Sequence, residues 1–301
     1  VSEQKSLWAA LAPEGFLVET LREVEWKKIK IAEQHGDLLV FEGECQPLAW
    51  ARVNWKKVFA VDVSSINDAA RKLRPLARKW AHASTANHRR GELILEQLRA
   101  YRRPTTIFPE LITEEGVGVF TLTAANRLLY CLAYDRPDPE GVIEFAEDKA
   151  APSRAYLKLW EALLLLGARP KSGESAVDLG ACPGGWSYVV ASLRANVLAV
   201  DRSTLSPAVT AMPGVEFRAG DAFRVLPHNS PDFDWLLSDV ICYPEKLLEL
   251  VEAWVGSGKV GHFVCTIKFQ GEPDPAVIEK FRALGRVLHL HYNKHELTFL
   301  R

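Results

Sequence analysis

Through the second half of the chain, short β-rich apolar runs alternate with helical stretches. The runs are Ser175 to Gly180, Asn196 to Asp201, Val215 to Gly220, Trp235 to Val240, His262 to Lys268, Arg286 to Tyr292 and Glu296 to Arg301. Each has strand length and β-branched or aromatic enrichment, so seven strands fit. Helical stretches separate the first five, which predicts a parallel, doubly wound α/β sheet. Only Asn293, Lys294 and His295 separate the last two, which demands an antiparallel hairpin.

The first half patterns differently. Candidate strands at Ser6 to Leu11, Lys28 to Glu33, Asp37 to Gly43 and Val58 to Val63, with a helix near Glu14 to Val24, predict an α+β unit of βαββαβ type. Ile66, Ala69, Ala70, Leu73, Leu76, Ala77 and Trp80 then recur at helical spacing, and a strand pair is expected around Val117 to Leu122 and Leu128 to Ala133. The turn-rich stretch Asp135 to Gly141 sets an expected domain boundary near residue 150, giving domains 1–150 and 151–301.

Composition adds limits. With 301 residues and 48% hydrophobic content the chain can bury two ordinary cores. No apolar run approaches the ~20 residues that cross a bilayer, and no signal-peptide pattern opens the chain, so a cytoplasmic location without membrane contact is expected. Cys45, Cys131, Cys182, Cys242 and Cys265 are odd in number and widely spaced, against a disulfide framework or a zinc site. Net charge is −1, yet residues 51–110 hold thirteen Lys or Arg against five acids. Such a stretch can gather phosphates, or it can be the solvated face of a helix; taken whole it points to RNA. Nothing in the sequence indicates an obligate protein partner.

The chemistry concentrates at Asp178-Leu179-Gly180-Ala181-Cys182-Pro183-Gly184-Gly185-Trp186. An apolar strand runs into an acidic residue and then a glycine-rich turn that opens a helix, where backbone can approach a nucleoside cofactor and unpaired N–H groups face it. The spacing Gly-x-x-x-Gly-Gly departs from the dinucleotide fingerprint, which makes S-adenosylmethionine the first choice. Asp178, Gly180, Cys182, Pro183, Gly184, Gly185 and Trp186 are the expected binding turn. Asp201, at the end of the next strand, can accept the ribose hydroxyls, and Asp221, after the third, the adenine amino group; either could instead be a cap or turn aspartate. Asp239 closes the fourth strand and faces the same pocket. The run Ser238-Asp239-Val240-Ile241-Cys242-Tyr243 lacks the Pro-Pro-aromatic of amine methylation and the Pro-Cys nucleophile of cytosine C5 methylation, so oxygen is the expected acceptor.

Lys158, Asp239, Lys268 and Glu296 fall where they can converge on one mouth. Together with Ser153 to Leu159, the Asp178 to Trp186 turn, Ser238-Asp239, Thr266-Ile267-Lys268 and His295 to Thr298, they resemble the FtsJ-type Rossmann-fold ribose 2′-O-methyltransferases. Within that family Pro152-Ser153-Arg154 and Ala176 to Trp186 look most like the RlmM type. The resemblance covers residues 150–301. It implies a class I methyltransferase sheet of seven strands with its last hairpin antiparallel, preceded by a ferredoxin-like, THUMP-like RNA-binding domain. It further implies a Lys-Asp-Lys-Glu catalytic tetrad and a cytidine ribose of 23S ribosomal RNA as acceptor. Ala155 departs from the RlmM type, which carries serine there.

A ribose 2′-hydroxyl needs a base at neutral pH. Lys268 is expected to serve, with its pKa depressed by Lys158 and burial; Asp239 would orient it, Lys158 steer the hydroxyl or a phosphate, and Glu296 fix a lysine. Read singly, each is an ordinary surface or cap residue. His289, His291 and His295 lack a carboxylate or cysteine at ligand spacing, and no metal is expected. The leading expectation is a ribosomal RNA 2′-O-methyltransferase. The alternatives are an RNA-binding or ribosome-assembly protein on a lapsed methyltransferase scaffold, and a small-molecule O-methyltransferase.

Overall fold

The computed structural model describes residues 6–110 and 114–301, and Cα packing divides the chain between Glu144 and Phe145 into two units.

The first unit begins with β1 (Leu7–Leu11), α1 (Leu17–Trp26), β2 (Ile31–His35), β3 (Leu38–Glu42) and β4 (Val53–Asp62). It continues through α2 (Ile66–Leu73), β5 (Lys79–His82), α3 (His88–Leu95), β6 (Thr105–Thr106), β7 (Val117–Ala124) and β8 (Arg127–Cys131). A short strand, β9 (Glu144–Phe145), lies at the division. Seven strands form one sheet in the order β2-β3-β1-β4-β8-β7-β5. Alternate β1 residues feed two cores: Trp8 and Ala10 pack with Phe41 and with Val24 of α1, while Ala9 and Leu11 pack with Val40 and Trp55.

The pattern misled in three places here. Residues 43–52, where a βαββαβ unit requires a second helix, contain none. The buried Glu23 carboxylate of α1 instead accepts the Ala49 and Trp50 N–H groups, each at 2.9 Å, and holds that stretch as a loop. Strand β2 starts at Ile31 rather than Lys28, because α1 runs on to Trp26 and Lys28 turns the chain at φ +54°. The helical spacing read through to Trp80 breaks after α2: Pro75 follows the cap residue Arg74, Leu76 is exposed, and Trp80 belongs to β5.

The second unit comprises α4 (Tyr156–Leu166), β10 (Ser175–Leu179), α5 (Gly185–Ser192), β11 (Asn196–Asp201), α6 (Pro207–Thr210) and β12 (Val215–Ala219). Then come β13 (Phe233–Ser238), α7 (Pro244–Ser257), β14 (Val260–Lys268), α8 (Pro275–Leu284), β15 (Arg286–Leu288) and β16 (Glu296–Leu300). The sheet order is β12-β11-β10-β13-β14-β16-β15; β16 runs antiparallel to both its neighbours, and the pairs from β12 through to β14 are all parallel. This is the doubly wound sheet with one reversed strand that the pattern predicted. Val177, Leu179, Ala199, Leu236, Leu237, Val264 and Ile267 are at most 1% exposed, as in a sheet covered on both faces, which is why these strands read as unbroken apolar runs.

Strand β15 stops at Leu288, four residues short of expectation, and a seven-residue connection replaces the three-residue hairpin turn. The Glu161 carboxylate of α4 takes the N–H groups of His291 (2.8 Å) and Tyr292 (3.1 Å), pulling that segment off the ladder. Among the described residues no helix is long and apolar enough to cross a membrane, and all five cysteines are free.

Candidate functional site

The winding of the second unit reverses at β10, which is hydrogen-bonded to β11 on one side and β13 on the other. A crevice must open beyond the carboxyl ends of such a strand pair. A cleft of about 360 Å³ opens there, lined among others by Gly180, Asp201, Asp221, Phe223, Val240 and Ile241.

Gly180 shapes it. Its φ of +83° is one that L side chains rarely adopt, and a Cβ at this position would lie 2.7 Å from Val240 Cβ and 2.9 Å from Val240 Cα. The turn then enters α5 at Gly185, where a Cβ would stand 2.8 Å from Ser153 Oγ, a buried hydroxyl with no hydrogen-bond partner. Asp201, at the end of β11, accepts from Cys182 N at 3.0 Å and from Ser203 N at 2.8 Å, one bond on each carboxylate oxygen. Each oxygen keeps a lone pair for a diol. Asp221 caps the short helical turn Ala222–Arg224 by accepting from Phe223 N at 3.0 Å, and pairs with Arg202 at 2.7 Å. The Arg202 hydrogen bond, then the Phe223 N–H, hold its carboxyl below the usual range. Both the cap reading and the cleft reading of Asp221 thus have a structural basis.

Of the expected binding residues, Gly180, Asp201 and Asp221 line the cleft, while Asp178 and Trp186 are buried behind the turn. Asp178 is 1% exposed, and its Oδ2 accepts from Ser187 Oγ on α5 at 2.7 Å. Burial pushes its carboxyl up to about 7; Asp239's charge adds to this and the Ser187 hydroxyl opposes it. Trp186 is 3% exposed, and its Nε1 donates to Ala155 O at 2.9 Å, tying α5 to the start of α4. Both brace the turn from beneath. Cys182 and Pro183 are exposed, and Gly184 is buried.

The four expected catalytic residues come together from four elements. Lys158 Nζ, on α4, lies 2.8 Å from Asp239 Oδ1 and 2.9 Å from Glu296 Oε1. Lys268 Nζ, ending β14, lies 2.8 Å from Asp239 Oδ1 and 3.8 Å from Glu296 Oε2. Lys268 and Glu296 are direct partners across the β14–β16 ladder, so the antiparallel register delivers the pair. All four side chains are at most 20% exposed. Burial works to lower the Lys158 pKa, but Asp239 and Glu296 outweigh it and hold that pKa above the ordinary lysine value. Burial likewise works to raise Asp239, and Lys158 with Lys268 outweighs it and keeps this carboxyl below its usual range. Lys268 thus stands beside Asp239 and Glu296, as expected, and shares the Asp239 Oδ1 atom with Lys158.

Ser153 was read only within the Pro152-Ser153-Arg154 resemblance and not as a site residue, because one serine in a loop carries no pattern of its own. Away from this site, in the first unit, His82, His88 and Glu92 bring ligand-capable atoms within 4.8 Å of one another. The His88-x-x-x-Glu92 spacing was visible in the sequence; the position of His82 was not.

Residues 151–295 match the model of the FtsJ-like methyltransferase family. The "Ribosomal RNA large subunit methyltransferase M" of Halorhodospira halophila is 38% identical over 168 residues, 52% of this chain and 49% of that protein. The protein of the same name from Methylococcus capsulatus is 36% identical over 172 residues, 55% of this chain and 48% of that one. The chain thus spans about half the length of the curated relatives it matches. Among solved structures, Aeropyrum pernix fibrillarin with natively bound S-adenosyl-L-methionine is 20% identical, covering 48% of this chain and 73% of that one, at a TM-score of 0.35, too distant to carry an argument.

Proposed function

From the premise that residues 151–295 form an FtsJ-like methyltransferase domain, we propose that the protein transfers a methyl group from S-adenosylmethionine to a ribose 2′-hydroxyl of ribosomal RNA, a cytidine of the 23S molecule. The observation that carries this reading is the convergence of Lys158, Asp239, Lys268 and Glu296 beside the β10–β13 crevice. An acceptor that must lose a proton from oxygen needs such a group; a metal-free amine or carbon acceptor of the kinds excluded above would need different residues at the end of β13.

The crevice residues fit the cofactor. Asp201 has one free lone pair per oxygen for a ribose diol, Gly180 to Gly185 lets backbone close on the ligand, and Ser153 Oγ is buried and unpartnered beside that turn. Asp221 would meet the base amino group. The bound cofactor supplies an already activated methyl on a sulfonium, so the chain's own task is to ready the oxygen.

Lys268, as the free amine, takes the 2′-hydroxyl proton. Lys158, held charged by two carboxylates, anchors Asp239 and Glu296 and draws the sugar-phosphate toward the mouth. Asp239 orients both lysines through one oxygen, and Glu296 fixes them from the opposite strand. General-base assistance of this kind contributes about 10²–10⁴ in rate, and alignment of the reacting atoms adds to it.

The first unit, read as a divergent ferredoxin-like, THUMP-like module, binds the RNA. The excess of thirteen bases over five acids between residues 51 and 110 supports this, although Arg71, Lys72, Lys79 and Arg103 are engaged in ion pairs within the unit. An RNA substrate in the ribosome places the protein in the cytoplasm.

The test is Lys268→Ala, assayed with labelled S-adenosylmethionine and ribosomal RNA lacking the modification. Transfer should fall at least ~100-fold with cofactor affinity within a few fold of wild type. Wild-type turnover in the variant would remove Lys268 as base. Label entering small metabolites or neither substrate in the wild type would remove the RNA reading.

A further inference from the structure

A cluster in the first unit takes no part in the chemistry above. His82 ends β5, while His88 and Glu92 stand four residues apart on α3 and so share a face of that helix. One ligand-capable atom from each of the three lies within 4.8 Å of the other two. His82 Nδ1 is 2.7 Å from Glu92 Oε1, and His88 Nδ1 is 2.9 Å from Ser84 Oγ.

The His82 ring is held unusually firmly. Its side chain is 1% exposed, stacked on Phe120 with centroids 5.1 Å apart and on His88 with centroids 5.9 Å apart. Its Nε2 is buried without a hydrogen-bond partner and packs against Gly91, where any Cβ would collide with the imidazole. Only Nδ1 is thus directed toward Glu92 and His88. His88 is exposed and the Glu92 side chain is 38% exposed, so the open side of the cluster faces solvent. Arg89 and Arg90 follow His88 at about 100° and 200° around the helix, off the shared face.

We propose that His82, His88 and Glu92 bind a divalent transition cation of the zinc class, with solvent completing the coordination. Two imidazoles and one carboxylate form a nitrogen-rich set suited to Zn²⁺, whereas Mg²⁺ and Ca²⁺ require mostly oxygen. The proton on His82 Nδ1 moves to Nε2 as the cation takes its place beside Glu92, so the ring stays a neutral imidazole, with no change of oxidation state. A hydrogen bond from His88 Nδ1 to Ser84 leaves Nε2 with the lone pair for the metal.

The fold offers a use for the ion. Helix α3 has eight residues, starts after Asn87 at φ +51°, and its cap residue makes no side-chain cap hydrogen bond. Helices this short are marginal without tertiary support. A cation joining its first two turns to β5 would fix the helix that carries Arg89 and Arg90.

The test uses the full chain, stripped with a chelator and titrated with Zn²⁺ against a chromogenic competitor, with Co²⁺ as a spectroscopic substitute. The wild type should bind one equivalent and melt at higher temperature with Zn²⁺ present. His88→Ala and Glu92→Gln, both at solvent-facing side chains, should each weaken affinity at least ~100-fold, beyond the ~10–100-fold of a supporting residue, and abolish the thermal shift. Circular dichroism matching wild type shows that each variant is folded. Absence of a stoichiometric wild-type site, or equal affinity in wild type and both variants, would overturn the proposal. Either failure leaves the methyl-transfer assay of Lys268→Ala unaffected.

Discussion

Replacing Asp178 by Asn should make the protein more stable above neutral pH. The native carboxyl is fully enclosed on β10 and held up to about 7, chiefly by burial. In the unfolded chain the same group titrates near its ordinary value, about 3.9. Between those values the folded state keeps a proton that the unfolded state has released. The unfolded state binds fewer protons, so this group's contribution to stability falls as pH rises from about 4 to about 7. From pH 5 to pH 8 the window spans about two units, and at ~1.4 kcal/mol per unit the wild type should lose roughly 2–3 kcal/mol that Asp178→Asn does not. Asn keeps a partner for Ser187 Oγ, now 2.7 Å from the carboxylate, so the packing of α5 on β10 is retained. Urea unfolding of both proteins at pH 5 and pH 8, with linear extrapolation, reads the difference. A stability gap that is the same at both pH values, or that narrows as pH rises, would refute the argument that burial dominates this site.

Gly180→Ala combines a left-handed backbone with a collision against Val240, and should lower unfolding free energy by about 2–4 kcal/mol in urea melts; a loss under ~1 kcal/mol would mean that the turn relaxes. Asp201→Ala should weaken S-adenosylmethionine binding by about 10–100-fold in calorimetry, the value of charge-assisted hydrogen bonds, and unchanged affinity would remove it from the pocket. RNA affinity of the full chain should fall at least about tenfold between ~50 and ~200 mM salt, and insensitivity would count against phosphate contacts by the first unit.

The second unit was largely legible because its strands are buried on both faces. Runs such as Ala176-Val177 and Leu236-Leu237 announce themselves, and the carboxyl end of each strand can be read without knowing the rest. What the pattern missed came from distant side chains acting on backbone. Leu288-His289-Leu290-His291-Tyr292 alternates as a strand should, yet Glu161, 130 residues before His291, takes the His291 and Tyr292 N–H groups that a ladder would use. Glu23 does the same to the loop at Ala49 and Trp50. In the site, residue type and position at strand ends foretold which four groups would meet. That Asp239 and Glu296 would hold the lysines was also foretold; which nitrogen reaches which carboxylate oxygen was not, because it depends on side-chain placement. Asp178 and Trp186 stand in the same motif as Gly180, which lines the cleft, and sequence alone does not separate lining from bracing.

Lys158 reaches Asp239 across 81 residues of chain and Glu296 across 138. Closing loops of that size is entropically slow relative to local structure, so the four-membered cluster is among the last features to appear as the chain condenses. The proposed methyl transfer should then report on completion: in a refolding population it should return only after the helical signal, once β16 has docked.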